Sequence, residues 1–150
     1  MDNFVDYFVI VESKFTHRGD KRDLKFNHTK FEKFKNKIIY LIYEEQPNQI
    51  ESINPADDEA INSGKYILNA AYRENGQRNF IQKGLDLAKD NDLILISDVD
   101  EIPNLNNLDL AKIKQKIIMF KQDMFYYKFN LHFEDFKWTG TKACKKKDLI

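Results

Sequence analysis

Three acids fall within four positions of this chain, Asp98, Asp100 and Glu101, inside the run Asp92 to Pro103 read D-L-I-L-I-S-D-V-D-E-I-P. Carboxylates this close repel one another, and a hard divalent cation such as Mg²⁺ or Mn²⁺ relieves the repulsion while also accepting phosphate oxygens. A solvated acidic turn is the alternative, and D-x-D alone does not separate the two. The residues in front are apolar: Leu93 to Ile96 is long enough for a strand buried on both faces and too short for a helix. Ile102-Pro103 closes the segment, because proline cannot donate to a ladder and pushes its predecessor into an extended or turn conformation. The acids are therefore expected at the carboxyl end of a strand, where open α/β sheets place their ligands.

Such a turn needs strands and covering helices to position it, and the pattern offers both. Val5 to Glu12 (V-D-Y-F-V-I-V-E) is an apolar, β-branched and aromatic run expected as a buried strand. Lys14 to Asn27 is a charged loop with five basic residues besides His17. A basic loop after a parallel strand could reach a phosphate, although a solvated face is the commoner use of a charge run. His17 and His28 have no partner at metal-ligand spacing and read as surface residues. Thr29 and Glu32 have the spacing of a capping box, which predicts a short helix with Phe31 and Phe34 on one face. Lys37 to Tyr43 then reads as a second buried strand, parallel to the first through a right-handed crossover. Glu44 to Asp58, with Pro47 and Pro55, reads as loop, either a connector or a segment able to close over a substrate.

Helical spacing runs from Glu59 to Tyr72, Gly76 interrupts it, and a sharper helix from Gln77 places Phe80, Ile81, Gly84, Leu85 and Ala88 against the sheet. Glu74 and Arg78 lie four apart, and an exposed pair of that kind adds only about 0.3–0.5 kcal/mol, too little to account for it. Beyond Pro103, the positions Leu105, Leu108, Ala111, Ile113, Ile117 and Phe120 predict an amphipathic helix over 104–120, beginning near Asn106. Asp123 to Phe133 predicts a strand, antiparallel or at the sheet edge because no crossover helix fits before it. Trp138-Thr139-Gly140-Thr141 predicts a turn, and Lys145-Lys146-Lys147 a solvated tail.

Composition narrows the classes. One domain is the natural reading of 150 residues. With 24 basic and 24 acidic side chains the formal net charge is zero, so nothing draws the chain as a whole to nucleic acid or an anionic membrane. A hydrophobic content of 42% and an aromatic content of 13% support a folded core. The single cysteine, Cys144, excludes an internal disulfide and any multi-cysteine zinc site. The apolar runs Tyr7 to Val11 and Ile38 to Tyr43 fall far short of the roughly 20 residues of a membrane span. Asp2 and Asp6 stand where a signal peptide would be basic, so a soluble, cytoplasmic protein is expected.

Taken in order, V-D-Y-F-V-I-V-E-S, K-I-I-Y-L-I-Y, R-E-x-x-Q-R from Arg73 to Arg78, L-I-L-I-S-D-V-D-E-I-P, F-Y-Y-K-F-N and W-T-G-T resemble glycosyltransferase family 17 over nearly the whole chain. That is the family of the β-1,4-mannosyl-glycoprotein β-1,4-N-acetylglucosaminyltransferases. The resemblance implies an α/β fold of GT-A type: a Rossmann-like, mostly parallel sheet flanked by helices, with an antiparallel edge strand, in a single domain over 1–150. It implies an inverting, metal-dependent glycosyltransferase that moves N-acetylglucosamine from UDP-N-acetylglucosamine to a glycan acceptor. Asp98 and Asp100 would hold Mn²⁺ or Mg²⁺ against the diphosphate, with Glu101 as a third acid of the metal site. Glu12, Glu74 and Arg78 match family positions and, with Asp98, are the expected nucleotide-side residues. Trp138 could form a sugar platform or a core anchor.

The chain departs from the family pattern at both ends. The pattern has a further strand and an acidic N-E-L-D segment ahead of V-D-Y-F-V-I-V-E-S, and a Gly-, Trp- and His-containing acceptor region beyond W-T-G-T, so a shortened domain is expected. An inverting transfer needs a carboxylate base on the acceptor hydroxyl, and none is matched by motif, although Glu134 and Asp135 are available acids. A sheet edge exposed by a missing strand would template a second copy, so a homodimer is a further expectation. Two other readings remain at this level. One is a Toprim-like Mg²⁺-dependent nucleic-acid domain, with Glu12 after one strand and D-x-D after a later one; Ser13 where such domains carry glycine and the zero net charge count against it. The other is a non-catalytic relative that binds a sugar nucleotide without transferring the sugar.

Overall fold

A computed structural model describes residues 2–106, 108–109 and 112–149. The chain is α/β and divides into two compact units, Asp2–Leu87 and Ala88–Ile150.

In the first unit the two apolar runs form strands β1 (Phe8–Ser13) and β2 (Ile38–Tyr43), paired in parallel from Phe8 opposite Ile38 to Ser13 opposite Tyr43. The expected pairing is therefore present. Their connection, His28–Lys37, consists of 3₁₀ turns broken at Phe31. It begins two residues earlier than the capping-box spacing predicted. Asn27 is the cap, its Oδ1 accepting from the Thr29 N–H at 2.9 Å and the Thr29 hydroxyl at 2.7 Å. Thr29 acts as a donor to the cap, which corrects its expected role.

Helix α1 (Glu59–Phe80) is capped by Asp58, whose Oδ1 accepts from the Ala60 N–H at 2.8 Å, and continues into a 3₁₀ turn at Ile81–Gly84. Gly76 does not interrupt it. A Cβ there would collide with the Tyr43 hydroxyl and lie 3.4 Å from Pro47, so the glycine marks a close approach to β2 and its following loop. Gly84 is buried against the side chains of Val9 and Leu41. The 44–58 segment is loop, as expected, and it is tied to α1 by Asn69. This buried amide donates to the Glu51 carbonyl at 2.8 Å and accepts from the Glu51 N–H at 2.9 Å.

In the second unit β3 (Leu93–Ile96), β4 (Ile117–Phe125) and β5 (His132–Lys145) form an antiparallel sheet in the order β3-β5-β4. The mostly parallel single sheet expected of the chain is thus observed as one parallel pair and one antiparallel triplet. Ile94 is buried and the rest of β3 is half-buried. The helix predicted over 104–120 is replaced at its end by β4. Along Ile117–Phe125 exposed and half-buried residues alternate strictly, the two-residue period of a strand. No helix lies among the described residues between Pro103 and Ile117 apart from single turns, and Asn107, Leu110 and Ala111 are outside the described residues. The strand predicted over Asp123 to Phe133 is a hairpin: the chain reverses over 126–131, with Tyr127 at φ 58°.

W-T-G-T, predicted as a turn, lies inside β5. The Lys145–Lys147 run is also more than a solvated tail. Lys145 ends β5, the Lys146 ammonium donates to the Ala88 carbonyl at 2.6 Å, and that of Lys147 to Asn91 Oδ1 at 3.0 Å. Among the described residues of this unit Ile94, Pro103, Leu105 and Ala143 are buried, and Thr141, two positions before Ala143, is wholly buried.

Candidate functional site

The acidic turn leaves β3 where the apolar run predicts it. The Glu101 N–H donates to the Asp98 carbonyl at 3.1 Å, closing a turn with Val99 and Asp100 at its apex. Ser97, the first residue past the strand, shares a 2.8 Å hydrogen bond between its hydroxyl and that of Thr141 on β5. The β4–β5 register breaks beside it: Met119 faces Lys142 but Lys121 faces Thr139, leaving one extra residue on β5 at Gly140–Thr141. Within this bulge the Thr141 N–H is taken by Gln122 Oε1 at 3.0 Å. Bulges of this kind re-aim the neighbouring side chains.

Asp98 and Asp100 are exposed, while Glu101 is half-buried. Both Glu101 oxygens are engaged: Oε2 accepts from the Asp98 N–H at 3.0 Å and Oε1 from the Trp138 indole N–H at 2.7 Å. Two exposed carboxylates are a hard oxygen donor set that suits Mg²⁺ or Mn²⁺, which commonly bind through one or two carboxylates with phosphate and water completing the shell. Among the described residues no group of three or more His, Cys, Asp or Glu side chains is gathered as a ready-made metal cage. The arrangement fits a cation that arrives with a phosphate ligand. Glu134 and Asp135 are exposed, in a second register break where Asp123 faces Lys137 but Met124 faces Phe133.

The first unit contains the other expected residues. Glu12, at the end of β1, is buried and accepts four hydrogen bonds: Arg22 Nη2 at 2.8 Å and the Lys25 N–H at 2.7 Å on Oε1, the Phe26 N–H at 3.0 Å and the Tyr40 hydroxyl at 2.8 Å on Oε2. Burial works against its charge, but these donors outweigh it and hold the pKa down to about 2. Burial, followed by the hydrogen bond to Glu12 and then the Glu12 charge, pushes the Tyr40 hydroxyl up to about 12. Glu12 thus fastens the basic loop to the sheet and presents Arg22. Glu74 and Arg78 form a pair on the surface at 3.3 Å.

Sequence reasoning passed over Arg73 and Gln77 in the same R-E-x-x-Q-R segment. Arg73 donates to Gln46 Oε1 at 2.8 Å and to the His17 carbonyl at 2.9 Å, and its guanidinium fills the space beside Gly19, whose φ of 98° suits only glycine. Gln77 donates to the Val11 carbonyl at 3.0 Å. The two are one helical turn apart and so share a face, a signal present in the spacing. Gln77 also lines an open cleft of ≈ 450 Å³ with Phe15, Thr16, His17, Arg18, Asp20 and Arg22, so two guanidiniums and one carboxylate border it.

Strand, crossover and helix in one unit, and a carboxylate-bearing turn braced by a neighbouring strand in the other, define an α/β protein. The sequence profile of glycosyltransferase family 17 matches residues 1–148, and the chain belongs to that family. No curated protein and no solved structure matches the chain. No helix among the described residues is long and apolar enough to cross a membrane.

Proposed function

We propose that this chain is a metal-dependent, inverting glycosyltransferase of GT-A type, which takes N-acetylglucosamine from UDP-N-acetylglucosamine and passes it to a glycan acceptor. The observation that carries the reading is the exposed Asp98 and Asp100 pair on the turn leaving β3, in a chain of family 17. When bound there, Mn²⁺ or Mg²⁺ supplies Lewis-acid stabilisation for the charge that develops on the departing diphosphate. Asp98 and Asp100 are the residues that would hold it, with phosphate oxygens and water as the remaining ligands. Ser97 and Thr141 anchor the start of the turn, so the two carboxylates are presented from a fixed strand end.

The residues of the first unit divide by what they touch. Glu12 has its four acceptor positions filled by protein donors, so its part is to orient Arg22 and the 25–26 backbone. Arg18 and Arg22 offer charge-assisted hydrogen bonds to an anionic group in the cleft. Glu74 and Arg78 neutralise each other at the surface, and the reading gives them no direct ligand role.

Calorimetric titration with UDP and with UDP-N-acetylglucosamine, each with Mn²⁺ and with chelator, tests the reading. Binding should require the metal, and Asp98→Asn or Asp100→Asn should remove that requirement's effect together with the binding while leaving the circular dichroism spectrum unchanged. Metal-dependent binding that survives both substitutions overturns the assignment.

A further inference from the structure

Glu101 belongs to the acidic motif by sequence, yet its carboxylate faces the protein. One oxygen accepts from the Asp98 N–H at 3.0 Å and the other from the Trp138 indole at 2.7 Å. Its own N–H returns to the Asp98 carbonyl at 3.1 Å, so both backbone polar groups of Asp98 are held by one residue. Gly140 completes the arrangement. A Cβ at that position would run into the Glu101 carboxyl group and lie 2.6 Å from Trp138 Nε1. The glycine is required for the space that the carboxylate occupies, since its φ lies outside the left-handed region.

We propose that Glu101, Trp138 and Gly140 form a lock that positions the Asp98–Asp100 turn for its cation, and that Glu101 is a positioning residue and not a cation ligand. The proposal rests on the metal reading above and deepens it. A ligand role for Glu101 would compete with two N–H groups that can only donate. Positioning needs no such exchange: the carboxylate keeps both donors while its backbone fixes the turn. The lock also gives W-T-G-T a single rationale, with Trp138 donating to Glu101, Gly140 making room for it, and Thr141 holding Ser97. Outer residues that orient metal ligands commonly contribute about 10- to 100-fold to metal affinity.

The test uses the full chain and two independent readouts. The first is hydrogen exchange of the Asp98 amide without metal, in wild type, Trp138→Phe and Gly140→Ala. Trp138→Phe keeps an aromatic ring and removes the donor, so it remains informative if Gly140→Ala fails to fold. Faster exchange in Trp138→Phe, with neighbouring amides of β3 unchanged, supports the lock; wild-type protection overturns it.

The second readout is Mn²⁺ titration in the presence of UDP, followed by calorimetry and, where Trp138 remains, by the emission of this single tryptophan. The lock predicts that Trp138→Phe and Glu101→Gln each weaken Mn²⁺ binding about 10-fold, that the double variant is no weaker than Glu101→Gln alone, and that Asp100→Asn loses far more. A loss in Glu101→Gln equal to that in Asp100→Asn, with Trp138→Phe at wild-type affinity, makes Glu101 a ligand and overturns the proposal. Failure of the wild type to bind Mn²⁺ with UDP overturns the metal reading instead, and the exchange experiment then judges the lock by itself.

Discussion

Replacing Glu12 by glutamine tests whether one buried charge fastens the basic loop to the parallel pair. The residue is 8% exposed, and burial alone would raise its pKa. The Lys25 and Phe26 N–H groups, the Tyr40 hydroxyl and the Arg22 guanidinium instead bring it from 4.5 to about 2. At ~1.36 kcal/mol for each tenfold change in proton affinity, the ionised form contributes about 3 kcal/mol to the folded state. The folded group binds its proton less readily than the unfolded one, so this stability is present in full above the unfolded pKa and is lost as pH falls towards the folded one. Glutamine offers one oxygen to four donors and has nothing to ionise. Urea denaturation followed by circular dichroism should show the variant less stable by about 3 kcal/mol near neutral pH, with the gap to wild type closing between about pH 5 and pH 2. A gap that stays constant through that window would refute the reasoning, because the charge would then not be what the four donors recognise.

Other expectations follow from packing and chemistry at named positions. Gly84→Ala puts a methyl group into the side chain of Val9 and within 3.3 Å of Leu41, and should lower stability by about 1–3 kcal/mol; an unshifted urea midpoint would show that the 3₁₀ turn moves aside freely. Asn69→Ala removes both partners of the Glu51 peptide and should cost about 1–3 kcal/mol, with faster proteolytic cleavage within 44–58 as the specific sign. The Cys144 thiol is pushed up first by burial and then by the Asp148 charge, so its alkylation near neutral pH should be slower in the folded chain than in urea; equal rates would contradict that environment. Tyr127→Asn, at an exposed position with φ 58°, should raise stability by up to about 1 kcal/mol in the same denaturation assay, since asparagine tolerates this conformation better.

The sequence by itself determined the elements whose cause is local. The β-branched and aromatic runs 8–13 and 38–43 became a parallel pair, and the four apolar residues before Ser97 became a strand ending in the acidic turn, because alternation, strand length and a closing proline act over a few neighbouring residues. Family membership was legible for the same reason, as an ordered set of short segments. The tertiary structure decided what depends on distant partners. Ile117–Phe120 satisfies a helical spacing as well as a strand, and pairing with β5 selected the strand. Gly76 and Gly140 look like breakers in a linear pattern, but each is there because another part of its unit approaches closely. Glu12 meets Tyr40 across 28 positions and Glu101 meets Trp138 across 37, so no local pattern could show that one acid fastens a loop and the other braces the turn beside the proposed ligands. A carboxylate's role follows from which donors face it, and that is known only when the chain has folded.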